Sequence, residues 1–592
     1  MYKAPLNEIE FVLHELIGSQ GLAGCPDLAD YSAETASSVL AEAARFAETV
    51  LAPLNKTGDR EGAHWSAQGV TTPTGFKEAY RQFVQGGWPQ LGSSPEFGGQ
   101  AVPQILTSAV QEIWASANLA FKLCPMLTHG AAHALELSGT PEQKQTYLPR
   151  MVSGEWTGTM VLTEPQAGSD LGLIRTQAVP QGDHYRLFGQ KIFITWGEHD
   201  YTENIIHMVL ARIEGAPAGT RGISMFIVPK FLVRPDGTLG ERNEVRCVSI
   251  EHKLGIHASP TCVMAFGEKQ GAIGYLVGEA NRGLEYMFIM MNTARLAVGL
   301  EGYAVAEAAF QLAVEWSRSR VQGKPPGTTG GGAPATIIRH PDVKRMLLGM
   351  KASVAAMRAL TIYCASQLDL SRHHTDERIR NAAQSRVDLL IPIVKGWSTE
   401  SGAEVASTGI QVHGGMGFIE ETGAAQFLRD VRITLIYEGT TGIQANDLIG
   451  RKIGRDGGAA MGELIAEMRA ELQKLSSAEP LGSVRKAVLE GIDVLEAATR
   501  CLLGLLGADA ARAGAIAVPY LKLCGFTIGG WLMARTAAIA AAKTSGTEGE
   551  LYAGRLQAAR FYAEQILPNA LALARIVECG SSSVAAAEDR LI

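Results

Sequence analysis

His184-Tyr185-Arg186-Leu187-Phe188-Gly189-Gln190-Lys191-Ile192-Phe193-Ile194-Thr195 decides the fold, because it reads as a strand in a chain whose flanks are helical. Aromatic and β-branched residues dominate it, and a single glycine interrupts it without ending it. Four further runs of the same kind follow at 205–213, 222–229, 244–250 and 261–266. They are rich in Val, Ile, Phe and Thr and are separated by glycine and proline. Short strands at that spacing make a compact β domain of roughly a hundred residues, a small barrel or a sandwich.

On either side the apolar residues return to helical spacing. Upstream, 37–51 is alanine-rich and amphipathic, 110–117 and 131–137 are helical, and Pro141-Glu142-Gln143-Lys144 opens a helix with proline at its first position. Downstream, the pattern predicts helices over 284–319, 342–368, 376–394 and 395–410, which make a four-helix bundle. The interval 323–335, with its Gly330-Gly331-Gly332 run, reads as a flexible loop. It lacks the Lys-Ser or Lys-Thr ending of a nucleotide-binding loop, so it has no phosphate role. The expected architecture is α+β, mostly α. A helical arm spans 1–35, an N-terminal helical domain 36–158, a middle β domain 159–280 and the bundle 281–452. An extra C-terminal helical domain occupies 460–592, past the linker Arg455-Asp456-Gly457-Gly458, with no titratable cluster in it.

Composition narrows the function. At 592 residues the chain exceeds a single core, and its 46% hydrophobic content suits large buried surfaces. A net charge of -7 without a basic block argues against a nucleic-acid partner. The eight cysteines stand singly, from Cys25 to Cys579. That pattern suits buried thiols in a reducing, cytoplasmic setting rather than zinc or a disulfide framework. Residues 1–8 show no apolar core of a signal peptide. The most apolar stretch, 526–542, contains Arg535 and two adjacent glycines, so it reads as a buried helix and membrane contact is not expected.

Chemistry concentrates in four places. Ile436-Tyr437-Glu438-Gly439-Thr440-Thr441 sets a lone carboxylate in a short break between two helical runs. Apolar neighbours favour a raised pKa there, suited to a base that takes a weakly acidic proton; the plain alternative is a helix-start acid. Thr163-Glu164-Pro165-Gln166-Ala167-Gly168-Ser169-Asp170 can offer hydroxyls and backbone N–H groups to an electron-rich ligand, or be only a turn. Phe193 and Thr195 pair a ring with a hydroxyl, as a flat cofactor would need, or are strand core. Gln411-Val412-His413-Gly414-Gly415-Met416-Gly417 allows close approach of a diphosphate, or is a helix C-cap. His413 lacks partners at ligand spacing, so no metal site is expected. Arg295 and Arg320 read as surface groups or as phosphate binders.

In this order and spacing the pieces resemble the acyl-CoA dehydrogenase family, over about residues 36–452. The segment Thr163 to Asp170 is similar to that family's first signature. Gln411 to Gly417, with Phe427-Leu428-Arg429-Asp430 and Tyr437-Glu438-Gly439-Thr440, is similar to its second. The family's fold is a helical domain, a middle β-barrel and a four-helix bundle, the order already expected here. The resemblance implies an FAD enzyme that oxidises an acyl-CoA thioester to the trans-2-enoyl-CoA. Glu438 matches the base that removes the α-proton, while the β-hydrogen leaves as hydride to the flavin. Its own N–H, beside Gly439, helps to bind the thioester carbonyl. Thr163, Ser169, Phe193 and Thr195 match positions around the flavin, with Ser169 near the CoA arm. Arg320, Gln411, Gly414 and Gly415 match positions that hold the FAD of a neighbouring subunit, and Thr440 one at the adenine end. Asn292 and Arg295 match the substrate channel.

There are departures. The family's usual flavin-flanking tryptophan is Phe193 here, with Trp196 three residues on; the phenylalanine usual after Arg320 is missing; Gly442 stands where many relatives carry glutamine. Ala294 occupies the position at which some relatives place the base. The N-terminal arm, Arg320-Val321-Gln322-Gly323 and the extra C-terminal domain resemble a longer bacterial subgroup that includes 3-methylmercaptopropionyl-CoA dehydrogenases. The implied partners are an electron-transferring flavoprotein and a second copy of the chain, as a homodimer. An acyl-CoA oxidase, in which oxygen reoxidises the flavin, and a non-catalytic flavin scaffold are the competing readings.

Overall fold

The computed structural model describes residues 2–18, 22, 24–28, 31–327 and 333–592. The Gly330-Gly331-Gly332 run expected to be a flexible loop lies outside them. The chain forms two compact units, one of Arg45–Pro103 and Ala117–Ala297, the other of Met1–Ala44, Gln104–Ser116 and Val298–Ile592.

The first unit is built on eight strands: β1 (Thr157–Val161), β2 (Gln177–Gln181), β3 (His184–Thr195), β4 (Ile205–Ile213), β5 (Ser224–Pro229), β6 (Val245–Ile250), β7 (Thr261–Phe266) and β8 (Ala272–Val277). They pair in the order β6-β7-β3-β8-β5-β4-β1, and β2 joins β3 to β4. That last pairing closes the ring β2-β3-β8-β5-β4, so the middle region is a barrel and not a sandwich. Its interior is filled by Val161, Leu187, Val209, Phe226 and Phe266, all at or below 1% exposure. The strand expected at 184–195 runs over the whole predicted span, whereas β1, β2 and β8 were not foreseen: each has five or six residues, with a proline or glycine inside.

Helices at Ala52–Glu61 and Phe76–Gln85 precede two longer ones in this unit. α1 (Leu119–Ser138) is capped by Asn118, whose side chain accepts from the Phe121 N–H at 3.1 Å. α2 (Pro141–Val152) starts with proline, as predicted, behind a reciprocal cap between Thr140 and Gln143. α1 packs on β1 through Gly158, where a Cβ would sit 2.7 Å from that of Ala131.

The long helix α3 (Gly283–Ser319) begins in the barrel unit and continues in the second, which adds α4 (Pro341–His373) and α5 (Glu377–His413). In place of the two helices expected over 376–394 and 395–410, the structure has one helix of 37 residues. Lys395-Gly396 resembles a break but is a packing device. The Lys395 ammonium turns inward to a loop carbonyl, and Gly396 admits Leu521, whose methyls lie 2.8 Å from where a Cβ would stand. Gly299 and Gly302 of α3 likewise bring its backbone against Val394 and Ser398 of α5. The short α6 (Thr441–Asn446) and the turn of helix after it complete the bundle.

The C-terminal segment adds α7 (Leu481–Ala508), α8 (Ala517–Ala541), α9 (Gly549–Phe561) and α10 (Pro568–Cys579). α8 is long and apolar enough to cross a membrane, yet 83% of its most apolar window is buried in the protein. It packs against α4, α5, α7, α9 and α10, which makes it the core of this segment.

Candidate functional site

The break expected before α6 is present and is held from three sides. Glu438 and Gly439 both take positive φ, 56° and 89°. A left-handed backbone is costly for glutamate, so the surroundings must impose it. The Lys395 ammonium, fully buried on α5, donates to the Gly439 carbonyl at 2.6 Å. The Gln444 amide donates to the carbonyls of Glu438 and Gly439 at 3.0 and 3.2 Å. The Tyr437 hydroxyl donates to the Glu301 carboxylate on α3. Burial and that carboxylate push the Tyr437 phenol well above its ordinary value, so it stays a donor. Thr440 caps α6 by accepting from the Ile443 N–H at 3.3 Å. The outcome is a half-buried Glu438 on a fixed turn.

Lys395, Gln444 and Glu301 were missed by sequence reasoning. A signal existed for Lys395, a lone cation within the apolar run Leu389 to Trp397. Gln444 and Glu301 look like ordinary helix-surface residues and have none.

In the same unit the Gly414–Gly415 segment follows the C-terminus of α5. Gly414 has φ 62°, both glycines are exposed, and a Cβ on either would meet nothing within 4 Å. Gln411 is exposed one turn before, and its carbonyl accepts the Gly414 N–H. His413 faces inward: it donates from Nδ1 to the Gly409 carbonyl at 2.7 Å and stacks on Trp316 at 5.2 Å. Burial lowers its pKa, so its role is to satisfy a helix-end carbonyl as a neutral ring. Arg320 is exposed at the end of α3, with its carbonyl fixed by the Ile337 N–H at 2.8 Å.

The barrel unit carries the other set. Glu164 is 4% exposed and anchors the loop after β1. Its carboxylate lies 2.9 Å from the Lys191 ammonium on β3 and accepts from Thr176 Oγ1 at 2.6 Å and the Arg175 N–H at 2.6 Å. Burial pushes this carboxyl up, but Lys191 and those hydrogen bonds outweigh it and hold the group at about 2. Burial in turn lowers the Lys191 ammonium to about 8. Lys191 also donates to the Leu162 carbonyl at 2.8 Å, and the Ile192 N–H to the Thr163 carbonyl at 2.9 Å. Glu164 is thus a tether inside the loop. Thr163 is half-buried against β3, while Ser169 projects on the exposed part of the loop.

Phe193 explains its own position. The pairing of β3 with β7 slips between Lys191 and Ile194, leaving Ile192 and Phe193 opposite Val263 alone. That bulge puts Phe193 at φ 58° and leaves its ring 58% exposed. Trp196, the alternative flat ring, is 1% exposed and packs against Tyr201 and His199, so it belongs to the core. Thr195 is half-buried two residues past the bulge. On α3, Asn292 is exposed and Arg295, one turn on, is 3% exposed.

Four family models cover the chain in order: "Acyl-CoA dehydrogenase, N-terminal domain" at 33–155, "middle domain" at 159–268, "C-terminal domain" at 281–453 and "Acetyl-CoA dehydrogenase C-terminal like" at 464–588. A 3-methylmercaptopropionyl-CoA dehydrogenase of Ruegeria pomeroyi is 46% identical over 597 residues, covering 99% of each chain. A broad-specificity linear acyl-CoA dehydrogenase of Mycobacterium tuberculosis is 35% identical, over 98% of this chain and 97% of its own. Among solved structures, an acyl-CoA dehydrogenase complexed with FAD from Bacillus anthracis superposes with a TM-score of 0.73 at 20% identity, over all of this chain and 94% of that one.

Proposed function

The chain belongs to the acyl-CoA dehydrogenase family, and from that premise we propose that it oxidises an unbranched acyl-CoA thioester at the α,β-bond, 3-(methylthio)propanoyl-CoA being the foremost candidate. The observation that carries the substrate class is the end-to-end match at 46% identity with the methylmercaptopropionyl enzyme, joined by the linear acyl-CoA enzyme at 35%. Both are dehydrogenases, which favours that activity over an oxidase.

Glu438 is the base of this proposal. An α-proton of a thioester is weakly acidic, so the base must be positioned and the growing enolate charge must meet a donor. The clamped turn of Lys395, Gln444 and Gly439 does the positioning. In this reading the Glu438 N–H, on that same turn, serves the thioester oxygen. FAD, when bound, accepts the β-hydrogen as hydride. The residues present fit such a group. Gly414 and Gly415 leave open surface where side chains would stand, suiting, with Gln411 and Arg320, the diphosphate of a neighbouring subunit's FAD. Phe193 offers an exposed ring, with Thr163, Ser169 and Thr195 as hydroxyl donors and Thr440 toward the adenine end. Asn292 and Arg295 are assigned to the substrate channel.

Electrons would pass to an electron-transferring flavoprotein, and the enzyme would work as a homodimer in the cytoplasm. The scattered free thiols suit that compartment. The decisive variant is Glu438→Gln. It should keep the yellow flavin and lose about 10²–10⁴-fold in turnover, the range of a general base. Near-normal turnover would remove Glu438 from the mechanism. A panel of acyl-CoAs scored by flavin bleaching addresses the substrate; bleaching by branched thioesters alone would overturn the assignment.

A further inference from the structure

The second unit holds a cavity of about 940 Å³ that the dehydrogenation does not use. It runs between α3 and α4. The two helices are antiparallel there: Glu307 meets Arg358 at one end, and the Arg320 carbonyl meets the Ile337 N–H at the other. From Glu307 to Arg318 is eleven residues, so the trough is about 16 Å long. Its floor is apolar, formed by Phe310 and Val314 from α3 and Leu347 and Leu348 from α4.

The two ends differ in charge. At the inner end Arg358 is 3% exposed and is spent on Glu112 at 2.6 Å and Glu307 at 2.9 Å. Glu8, also on the wall, is held by Arg555 at 3.1 Å. Toward the outer end stand Arg318 and Lys344, with Lys351 two turns along α4 from Lys344. Among the described residues these three cations make no salt bridge. Glu315 is the remaining acid on the rim, so the outer half carries an excess of positive charge over an apolar floor. The cations sit on separate turns and form no bidentate cluster or backbone nest of the kind that grips phosphate. They suit a single monoanion.

We propose that this trough binds a long-chain fatty carboxylate, its aliphatic chain along Phe310, Val314, Leu347 and Leu348 and its carboxylate at Arg318 and Lys344. The site is separate from Glu438 and does not depend on which thioester the enzyme oxidises. The probe is dodecanoate, titrated calorimetrically into the FAD-loaded full-length enzyme. One equivalent should bind, and saturating acyl-CoA should not displace it. Dodecanol, which lacks the charge, should bind at least tenfold more weakly. Reversing the exposed pair with Arg318→Glu and Lys344→Glu should weaken dodecanoate at least tenfold, and Val314→Trp, which fills the floor, should abolish binding. Acyl-CoA turnover in each variant reports folding, and the surface charge reversals keep the test decisive should Val314→Trp fold poorly. No binding, displacement by acyl-CoA, or unchanged affinity in the charge-reversed enzyme would each overturn the proposal.

Discussion

Gly439 sets the position of the carboxylate before it. Its φ of 89° is open to glycine and strained for any other residue, and a Cβ would lie 2.8 Å from the Gln444 amide nitrogen. Gly439→Ala must therefore either bend the turn or push away the amide that holds the Glu438 carbonyl. The strain is about 1–3 kcal/mol. Small displacements of a reacting group cost far more in rate than in stability, about 10²-fold for 1 Å. Turnover should fall by about that factor while the melting temperature moves by only a few degrees. Steady-state kinetics beside thermal unfolding separates the two, and a loss of stability without a matching loss of rate would mean that the turn does not position Glu438.

At the scale of elements, the loop after β1 depends on the buried pair Glu164–Lys191. The folded Glu164 carboxyl sits at about 2, below its ordinary 4.5, so its contribution is complete above the ordinary carboxylate range and is lost as the pH falls through 2. Removing the ammonium with Lys191→Met strands a buried carboxylate, at a cost of about 3–5 kcal/mol. Protonation relieves that stranded charge, so the loss of stability, followed by denaturant unfolding with tryptophan fluorescence, should be full near neutral pH and shrink as the pH falls, and the loop bearing Ser169 should loosen. Unchanged stability at neutral pH would show that Thr176 and Arg175 hold Glu164 without help. These same elements show how far the sequence could be read. β3 was legible end to end because Ile192, Phe193 and Ile194 carry strong strand character, and the helix at Pro141 because its cap is local. The bulge at Phe193 was not, since it arises from register with Val263 on β7, far away in sequence. The continuity of α5 through Lys395-Gly396 was hidden for the same reason: each residue answers to a partner on another element, Gly439 and Leu521. Glu438 was legible as a candidate from its place between helices, whereas the groups that clamp its turn lie 6 to 137 residues away and announce nothing locally.

At the scale of the whole molecule, the two ends of the chain meet in the second unit. The N-terminal helical arm lies against the C-terminal segment through a set of polar contacts. Arg555 of α9 is 5% exposed; it donates to the Glu8 carboxylate at 3.1 Å and the Asn7 carbonyl at 2.8 Å, and its guanidinium lies 4.4 Å over the Phe11 ring. Glu15 accepts from Lys543 at 2.6 Å and from the Tyr552 hydroxyl at 2.5 Å, and Arg535 of α8 donates to the Leu16 carbonyl at 3.0 Å. A short helical arm has little stability of its own, so these tertiary contacts must supply it. Arg555 is the centre of the set because it is buried, charged and stacked at once. Arg555→Met keeps the apolar stem and removes the charge. Two hydrogen bonds to a charged group go with it, and the arm should lose about 2 kcal/mol of local stability. Hydrogen exchange at residues 6–17 should then speed up about thirtyfold, at tenfold per 1.4 kcal/mol. Exchange in the barrel strands should stay as it was, and Glu438-dependent turnover should change little. Unchanged protection of the arm would place its anchorage in the apolar contacts of Phe11, Val12 and Leu13 instead of the Arg555 clasp.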